Sequence, residues 1–132
     1  MLRQRVSSGS PWEEPIGYCR AVRAGNQIVV SGTAPVAPDG STAAPGDPYR
    51  QAVRCLEIIR DAIEQLGGRL DDVVRTRMYV TDLAYADAVG RAHGEFFRSV
   101  RPAATMVGVA GLIREDFLVE IEAECIIDER QD

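Results

Sequence analysis

The end of the chain alternates between hydrophobic and acidic residues over positions 117–125. This two-residue period is typical of a β-strand, because successive side chains of a strand point to opposite faces of the sheet. One face of the strand is therefore apolar, and the other carries three carboxylates. If a second sheet or subunit covered the acidic face, each carboxylate would need a partner or a proton. The apolar face comprises Val119, Ile121, Ala123 and Cys125, and the acidic face comprises Glu120, Glu122 and Glu124.

Two other segments repeat hydrophobic residues with the spacing of an α-helix. The first begins at Asp47, which can cap a helix, and Pro48, which suits a first turn, and it stops at Gly67-Gly68. The second begins near Thr81 or Asp82. Each helix therefore offers one apolar stripe for burial. The stripe residues are Ala52, Cys55, Leu56, Ile59, Ala62, Ile63 and Leu66 in the first helix, and Ala86, Val89, His93, Phe96 and Phe97 in the second.

Four further segments predict strands. Residues 18–24 and 27–31 form a hairpin around Gly25-Asn26, because that pair tolerates the positive φ of a tight turn. Residues 35–48 are rich in proline and glycine and form a loop. The other two strands span 73–80 and 103–109. In the strand over 73–80, the pattern predicts one face with Val74, Thr76, Met78 and Val80 and another with Arg75, Arg77 and Tyr79.

The order of these elements predicts an α+β fold in which one mixed β-sheet carries both helices on a single face. Residues 1–15 form a polar N-terminal arm that could dock on a neighbour through Trp12, and residues 16–132 form one domain. The other face of the sheet has nothing to cover it within one chain, which predicts a homo-oligomer. Arg75 and Arg77 could pair with glutamates on that face. Alternatively, these charges form an exposed ladder that contributes little stability.

Composition excludes several classes of function. The formal net charge of −5 disfavours binding to phosphate backbones, so nucleic acid is not an expected partner. The chain contains no lysine, which excludes a Schiff-base nucleophile or a lysine-anchored pyridoxal cofactor. Its three cysteines include no CxxC pair, which favours free thiols in a reducing cytoplasm. No apolar run is long enough to span a bilayer.

Cofactor and metal motifs are also missing from the sequence. There are no ligand-spaced histidines or cysteines, no GxxxxGK[ST] or GxGxxG motif, and no GxSxG nucleophile elbow. We therefore expect no metal and no cofactor. His93, the single histidine, lies on the apolar side of its helix, where a core histidine is more common than a catalytic one.

Five short motifs in order resemble the Rid family of reactive-intermediate deaminases, also called YjgF-like proteins. The resemblance covers residues 17–127 and implies a chorismate-mutase-like fold, a homotrimer and small-molecule clefts between subunits. Members of this family hydrolyse enamines and imines, such as 2-aminoacrylate, to a keto acid and ammonia. The motifs are Ser31-Gly32-Thr33-Ala34-Pro35, Arg77-Met78-Tyr79-Val80-Thr81-Asp82-Leu83, Phe96-Phe97, Arg101-Pro102-Ala103 and Val119-Glu120-Ile121-Glu122-Ala123.

The resemblance also implies roles for individual residues. Glu120 matches the family's cleft glutamate, which is expected to activate water and exchange a proton with the substrate. Burial suits this role because it raises the pKa of a carboxyl group toward neutrality. Ser31 and Gly32 match the pair that lines the cleft, and Tyr18 matches an aromatic residue near the subunit junction. Without the resemblance, Tyr18 and Ser31 would be interpreted as a packing residue and a turn hydroxyl.

One departure from the family pattern concerns substrate binding. Active deaminases carry an arginine directly after the Pro-Ala pair, where it binds the substrate carboxylate, whereas this chain has Ala104. Losing each such hydrogen bond would cost about 1.5 to 3 kcal/mol of binding free energy. Three further positions depart from the family pattern. Met106 stands where the family has a small or thiol residue, Gly90 stands where an asparagine is common, and His93 stands where a tyrosine is common. The resemblance thus implies a rebuilt cleft.

Two functions remain consistent with these residues. In the first, the cleft hydrolyses an imine or enamine of a non-standard substrate, with Glu120 as the acid and base and Arg101 or Arg77 assisting. In the second, the protein is a non-catalytic trimer that binds a metabolite or has a regulatory role. Ala104 favours a non-standard role, and retention of Glu120 keeps catalysis possible.

Overall fold

The computed structural model describes residues 2–128 and contains one six-stranded mixed sheet with three α-helices. The strand order is β1-β2-β3-β6-β4-β5, and every neighbouring pair is antiparallel except the parallel pair β4 and β5. The expected α+β class and mixed sheet are confirmed. The strands are β1 (Arg3–Val6), β2 (Ala21–Ala24), β3 (Gln27–Thr33), β4 (Val73–Val80), β5 (Ala103–Gly108) and β6 (Val119–Ile126), and the helices are α1 (Glu13–Ile16), α2 (Pro48–Gln65) and α3 (Ala86–Phe97).

Helix α2 follows its sequence signals closely. The Asp47 side chain accepts a hydrogen bond from the Arg50 N–H at 3.0 Å and so caps the first turn, where Pro48 has no N–H to satisfy. Gly67, at φ +83°, follows the last turn in the left-handed conformation that favours glycine. The predicted apolar stripe packs against β3 and β6 and is buried in full.

Helix α3 begins later than the sequence predicted. Asp82 accepts a hydrogen bond from the Ala84 N–H at 2.9 Å and caps a short 3-10 turn over Leu83–Tyr85, so the α-helix starts at Ala86. The helix packs against α2, and the His93 Nε2 lies 2.8 Å from the Thr76 Oγ1 of β4. Both long helices therefore cover the same face of the sheet, which we call the helix face.

A β-bulge shifts the start of β4 relative to the predicted alternation. The register to β6 changes between Val73 and Arg75, so Val73 enters the core while Val74 is 42% exposed. The prediction that Val74 shares a face with Thr76, Met78 and Val80 was therefore wrong. The bulge adds one residue to β4, so the side chains before it point to the opposite face from the one that simple alternation predicts.

The N-terminal arm also contains ordered structure. Strand β1 pairs antiparallel with β2 and extends the sheet at its edge, and α1 follows it. Ser8 lies between β1 and α1, and its N–H donates a hydrogen bond to the Glu13 carboxylate at 2.8 Å. This bond holds the connecting segment against α1. The Trp12 indole is 64% exposed in the single chain.

The second face of the sheet carries no helix. We call it the acidic face because Glu120, Glu122 and Glu124 of β6 project from it, while the alternate residues of β6 are buried under the helices. Val29 and Val107 lie on the same face and are 47% and 41% exposed. None of the helices formed by residues 2–128 has the length and hydropathy that crossing a bilayer requires.

Candidate functional site

A ladder of charged and polar side chains crosses the acidic face between β4 and β6. Arg77 donates to the Glu124 Oε1 at 2.9 Å and lies 3.5 Å from the Glu122 Oε1. The Tyr79 hydroxyl donates to the Glu122 Oε1 at 2.6 Å. Arg77 thus shares a surface with the glutamates, as predicted, and it satisfies two of the three carboxylates together with Tyr79. In the single chain these pairs are partly exposed, so each contributes little stability.

Glu120 differs from the other two glutamates of the strand. Among residues 2–128, no side chain or backbone group donates a hydrogen bond to its carboxylate. Burial raises the pKa of Glu120 above its usual 4.5; Arg20 opposes this rise and Glu122 adds to it. A carboxyl group with a raised pKa holds its proton to a higher pH than an exposed glutamate does. Glu120 therefore binds a proton more readily than an ordinary surface glutamate.

Gly32 leaves the space that the Glu120 carboxylate occupies. A Cβ atom at position 32 would collide with the Glu120 Oε2. The Ser31-Gly32 pair of β3 is thus fixed next to Glu120 by close approach of a backbone to a side chain. This contact brings together two of the residues that the sequence predicted for the site.

Ser31 contacts the segment that precedes β2, and Tyr18 belongs to that segment. The Ser31 hydroxyl donates to the Cys19 carbonyl oxygen at 2.7 Å, so it holds the backbone segment before β2. The Tyr18 ring lies 5.9 Å from the Arg20 Cζ and lines a cavity of about 250 Å³. The other lining residues of this cavity are Arg5, Glu13, Glu14, Gly17 and Cys19. Ser31 thus has the role of a turn hydroxyl here, and Tyr18 borders an open space.

Arg20 is a member of the site that the sequence did not predict. It is only 9% exposed, and its Nη1 donates to the Gly32 carbonyl oxygen at 2.6 Å and to the Thr33 Oγ1 at 2.9 Å. Its Nε is buried and has no hydrogen-bond partner among residues 2–128. The sequence signal was weak, because an arginine beside a strand usually faces water.

Ala104 and Met106 lie on the other side of the sheet from Glu120. They are paired in register with Thr76 and Met78, whose side chains enter the core under the helices. Paired residues of neighbouring parallel strands point to the same face. Ala104 and Met106 therefore do not meet Glu120 within one chain.

A larger cavity, of about 430 Å³, lies between α3 and the segment that leads into β5. Arg101, which the sequence suggested as an assisting residue, borders this cavity and not the surroundings of Glu120. Arg101 also has φ +56°, a backbone conformation that is unusual for a residue with a side chain. The lining residues are His93, Gly94, Phe97, Arg98, Arg101 and Pro102.

Most of the remaining reactive side chains lie in or against the core. Burial lowers the pKa of His93, whose ring also lies 4.7 Å from that of Phe97. Burial raises the pKa of Cys125 to about 12, so this thiol stays protonated. Cys55 is fully buried, whereas Cys19 is partly exposed. Across residues 2–128, no three His, Cys, Asp or Glu side chains are grouped as metal ligands.

Comparisons with known proteins agree with this architecture. Residues 13–127 match the family model described as endoribonuclease L-PSP. The crystal structure of Rv2704 from Mycobacterium tuberculosis, a member of the YjgF/YER057c/UK114 family, superposes with a TM-score of 0.85 at 43% identity, covering 96% of this chain and all of that one. A RutC family protein of Pyrococcus abyssi is 35% identical over 83% of this chain and 87% of its own.

The structure of E. coli TdcF with bound serine is also similar. It has a TM-score of 0.79 and 26% identity, and the match covers 94% of each chain. The match to the family model covers most of the chain, and the solved relatives share its sheet and helices. The chain therefore belongs to the YjgF, or Rid, family.

Proposed function

We propose that this protein forms a homotrimer with small-molecule clefts between subunits, and that these clefts hydrolyse an imine or enamine to a carbonyl compound and ammonia. The observation that carries the proposal is the state of the Glu120 carboxyl group. Glu120 is the one glutamate of the acidic face without a hydrogen-bond partner among residues 2–128, and burial raises its pKa. A carboxyl group in that state is available for a substrate.

The placement of the other candidate residues supports a cleft built from two subunits. Ser31 and Gly32 of β3 lie on the side of Glu120, whereas Ala104 and Met106 lie on the helix face at the edge strand β5. Residues on opposite faces of one sheet can line a single cleft only if they come from different copies of the chain. Joining the acidic face of one subunit to the β5 edge of the next would bring them together.

The hydrolysis needs one group that first accepts a proton and then donates one. Glu120 as a carboxylate would take a proton from water while the water oxygen bonds to the imine carbon and the C=N π electrons move to nitrogen. The protonated Glu120 would then protonate that nitrogen. In the last step Glu120 would transfer the hydroxyl proton of the resulting carbinolamine to its nitrogen, so that the O–H electrons form the C=O bond while the C–N bond breaks and ammonia leaves. A pKa raised toward neutrality suits both steps.

A second function, binding without catalysis, is favoured by Ala104. This residue stands where active deaminases carry the carboxylate-binding arginine, so turnover of 2-aminoacrylate is not expected to be efficient. TdcF, a structural relative, binds serine, which supports binding of a small amino acid as a function here. By contrast, the net charge of −5 gives no support to cleavage of RNA, the activity in the family description.

Ammonia release from freshly generated imines tests the proposal. A panel should include 2-iminopropionate and larger or less acidic imines, and each should be assayed with the wild type, Glu120→Gln and Ala104→Arg. We expect turnover of at least one imine by the wild type, its loss in Glu120→Gln, and a gain on 2-iminopropionate in Ala104→Arg. Glu122→Gln is the matched control, because it removes a neighbouring carboxyl group from the same strand. No turnover by any variant would favour the binding function.

A further inference from the structure

The cavity between α3 and the segment that leads into β5 is bordered by cationic side chains. Arg98 and Arg101 line it together with the His93 ring, and no Asp or Glu of residues 2–128 is among its lining residues. This grouping stands out in a chain with a formal net charge of −5. Cations around a concave site attract an anion, because the low-dielectric walls focus their field. The cavity therefore has the opposite charge from the chain as a whole.

Neither guanidinium is engaged elsewhere in the described chain. Among residues 2–128, no salt bridge or side-chain hydrogen bond involves the guanidinium of Arg98 or Arg101. Both residues are exposed, so a ligand from solvent can reach them. The Arg98 Nη2 lies 3.9 Å from the position of a Cβ built on Gly94, which also lines the cavity. The Arg98 guanidinium is therefore already at the cavity wall.

The backbone of Arg101 supports a role for its side chain. Arg101 has φ +56°, in the left-handed region where glycine is the usual residue. Its N–H donates to the Phe97 carbonyl oxygen at 2.8 Å and so closes the turn after α3. A glycine would make the same hydrogen bond with less strain. Residues held in such conformations cluster at binding and active sites, where the side chain has a function.

The helix dipole offers a second explanation for these arginines, because it stabilises cations near the C-terminus of a helix. It accounts for Arg98, which is the C-cap residue of α3. It does not account for Arg101, since α3 has no basic residue in its last turn, where a cation would gain the same stabilisation without backbone strain. The position of Arg101 therefore favours binding of a ligand.

The lining residues indicate a phosphate group as the anion. Each guanidinium presents parallel N–H groups that bind two oxygens, so two guanidiniums match a group with several terminal oxygens and about two negative charges. A single guanidinium would be enough for a carboxylate. The cavity volume of about 430 Å³ is typical of small-ligand sites, and Gly94, Phe97 and Pro102 provide an uncharged wall for the rest of the molecule.

We propose that this cavity binds a small phosphate monoester, with Arg98 and Arg101 as the phosphate-binding residues. All lining residues belong to one chain and Glu120 is not among them, so the site requires neither hydrolysis nor assembly. His93 contributes wall surface and no charge. Its Nε2 already lies 2.8 Å from the Thr76 Oγ1, and burial lowers the pKa of the ring.

Calorimetric titration with glycerol 3-phosphate tests the proposal. Inorganic phosphate, acetate and glycerol are the comparison ligands, because each lacks either the organic body or the phosphate. The test variants are Arg98→Gln and Arg101→Gly. Arg50→Gln is the matched control, because it removes the same charge from an exposed arginine of α2 that does not line the cavity.

We expect one glycerol 3-phosphate per chain, and an affinity lowered by about tenfold or more in Arg98→Gln and in Arg101→Gly, since each loses charge-assisted hydrogen bonds. Arg50→Gln should change the affinity by less than about twofold, because a distant exposed charge is screened. Inorganic phosphate should bind more weakly than the ester, acetate more weakly still, and glycerol not at all. No binding of glycerol 3-phosphate, equal losses in all three variants, or acetate or inorganic phosphate bound as tightly as the ester would overturn the proposal.

Thermal unfolding separates ligand binding from a role in folding. Without ligand, Arg101→Gly should melt at the wild-type temperature or above it, because glycine relieves the left-handed conformation. Ala44→Gly is the control, because Ala44 also has a positive φ, of +42°, and does not line the cavity. Glycerol 3-phosphate should raise the melting temperature of the wild type and Ala44→Gly but not of Arg101→Gly. An Arg101→Gly protein that melts below the wild type, or that the ester stabilises equally, would contradict the proposal.

Discussion

Gly32 and Glu120 approach so closely that a methyl group on residue 32 would overlap the glutamate Oε2. We predict that Gly32→Ala displaces this carboxylate and abolishes turnover. The cost in unfolding free energy should be less than about 1 kcal/mol, because the colliding atom is the end of a flexible side chain. Ammonia release measured beside urea unfolding checks both parts. Full activity in Gly32→Ala would show that the position of the carboxylate does not matter.

Gly90 provides the opposite case. It lies within α3, and no atom of residues 2–128 outside the helix lies within 4 Å of a Cβ built there. We expect Gly90→Ala to raise the unfolding free energy by about 0.5 to 1 kcal/mol, because glycine costs that much in a helix interior. Urea unfolding at fixed protein concentration measures the change. A destabilised variant would indicate that another subunit occupies the space beside α3.

The pH dependence of stability should reveal the environment of Glu120. Its pKa in the folded state is raised above the usual 4.5, mainly by burial, so the folded protein binds the proton more tightly than the unfolded chain does. The stability from this group is therefore complete below pH 4.5 and is lost as the pH rises through the folded pKa. We expect Glu120→Gln to remove this loss of stability at higher pH, because glutamine does not titrate.

Urea unfolding of the wild type and Glu120→Gln in steps from pH 4 to 8 measures this effect. The variant should gain stability relative to the wild type as the pH increases. A constant difference across the range would mean that the Glu120 pKa is the same in the folded and unfolded states.

The stability lost on replacing Arg77 distinguishes an acidic face that is covered by another subunit from one that is exposed to water. In an exposed ladder, Arg77→Met should cost little unfolding free energy. If a neighbouring subunit covers the face, the variant leaves Glu122 and Glu124 buried without their cation, and the loss of unfolding free energy should be several times larger. We expect the larger loss, together with weaker assembly.

The matched control for Arg77→Met is Arg60→Met. Arg60 lies 3.6 Å from Asp61 in an exposed pair on α2, so its removal should have little effect. Unfolding free energies and sedimentation profiles of both variants measure the comparison. Equal, small losses in the two variants would favour the exposed ladder.

Local signals explain which parts of the fold could be predicted. Helix α2 has a cap, a stripe and a terminal glycine in its own sequence, so its bounds follow without knowledge of the rest of the chain. The bulge at Val73 and Val74 depends on pairing with β6. Strand β1 has exposed Arg3, Gln4 and Arg5 and no apolar alternation, so only its hydrogen bonds to β2 define it.

In the candidate site, too, some features follow from the local sequence and others depend on distant contacts. Strand alternation places Glu120 on the acidic face directly from the sequence. The burial of Arg20 arises from acceptors on β3, Gly32 and Thr33, which lie more than ten residues away along the chain. A local pattern cannot indicate such contacts. The separation of Ala104 from Glu120 depends likewise on how β5 pairs with β4.

Sedimentation equilibrium of the wild-type protein tests the central claim, that copies of this chain meet over Glu120 and form walled clefts. We predict a species with three times the mass of one chain at working concentration, and no free chain. A stable single chain that still releases ammonia from an imine would contradict it, because Glu120 and the β5 edge would then never share a cleft.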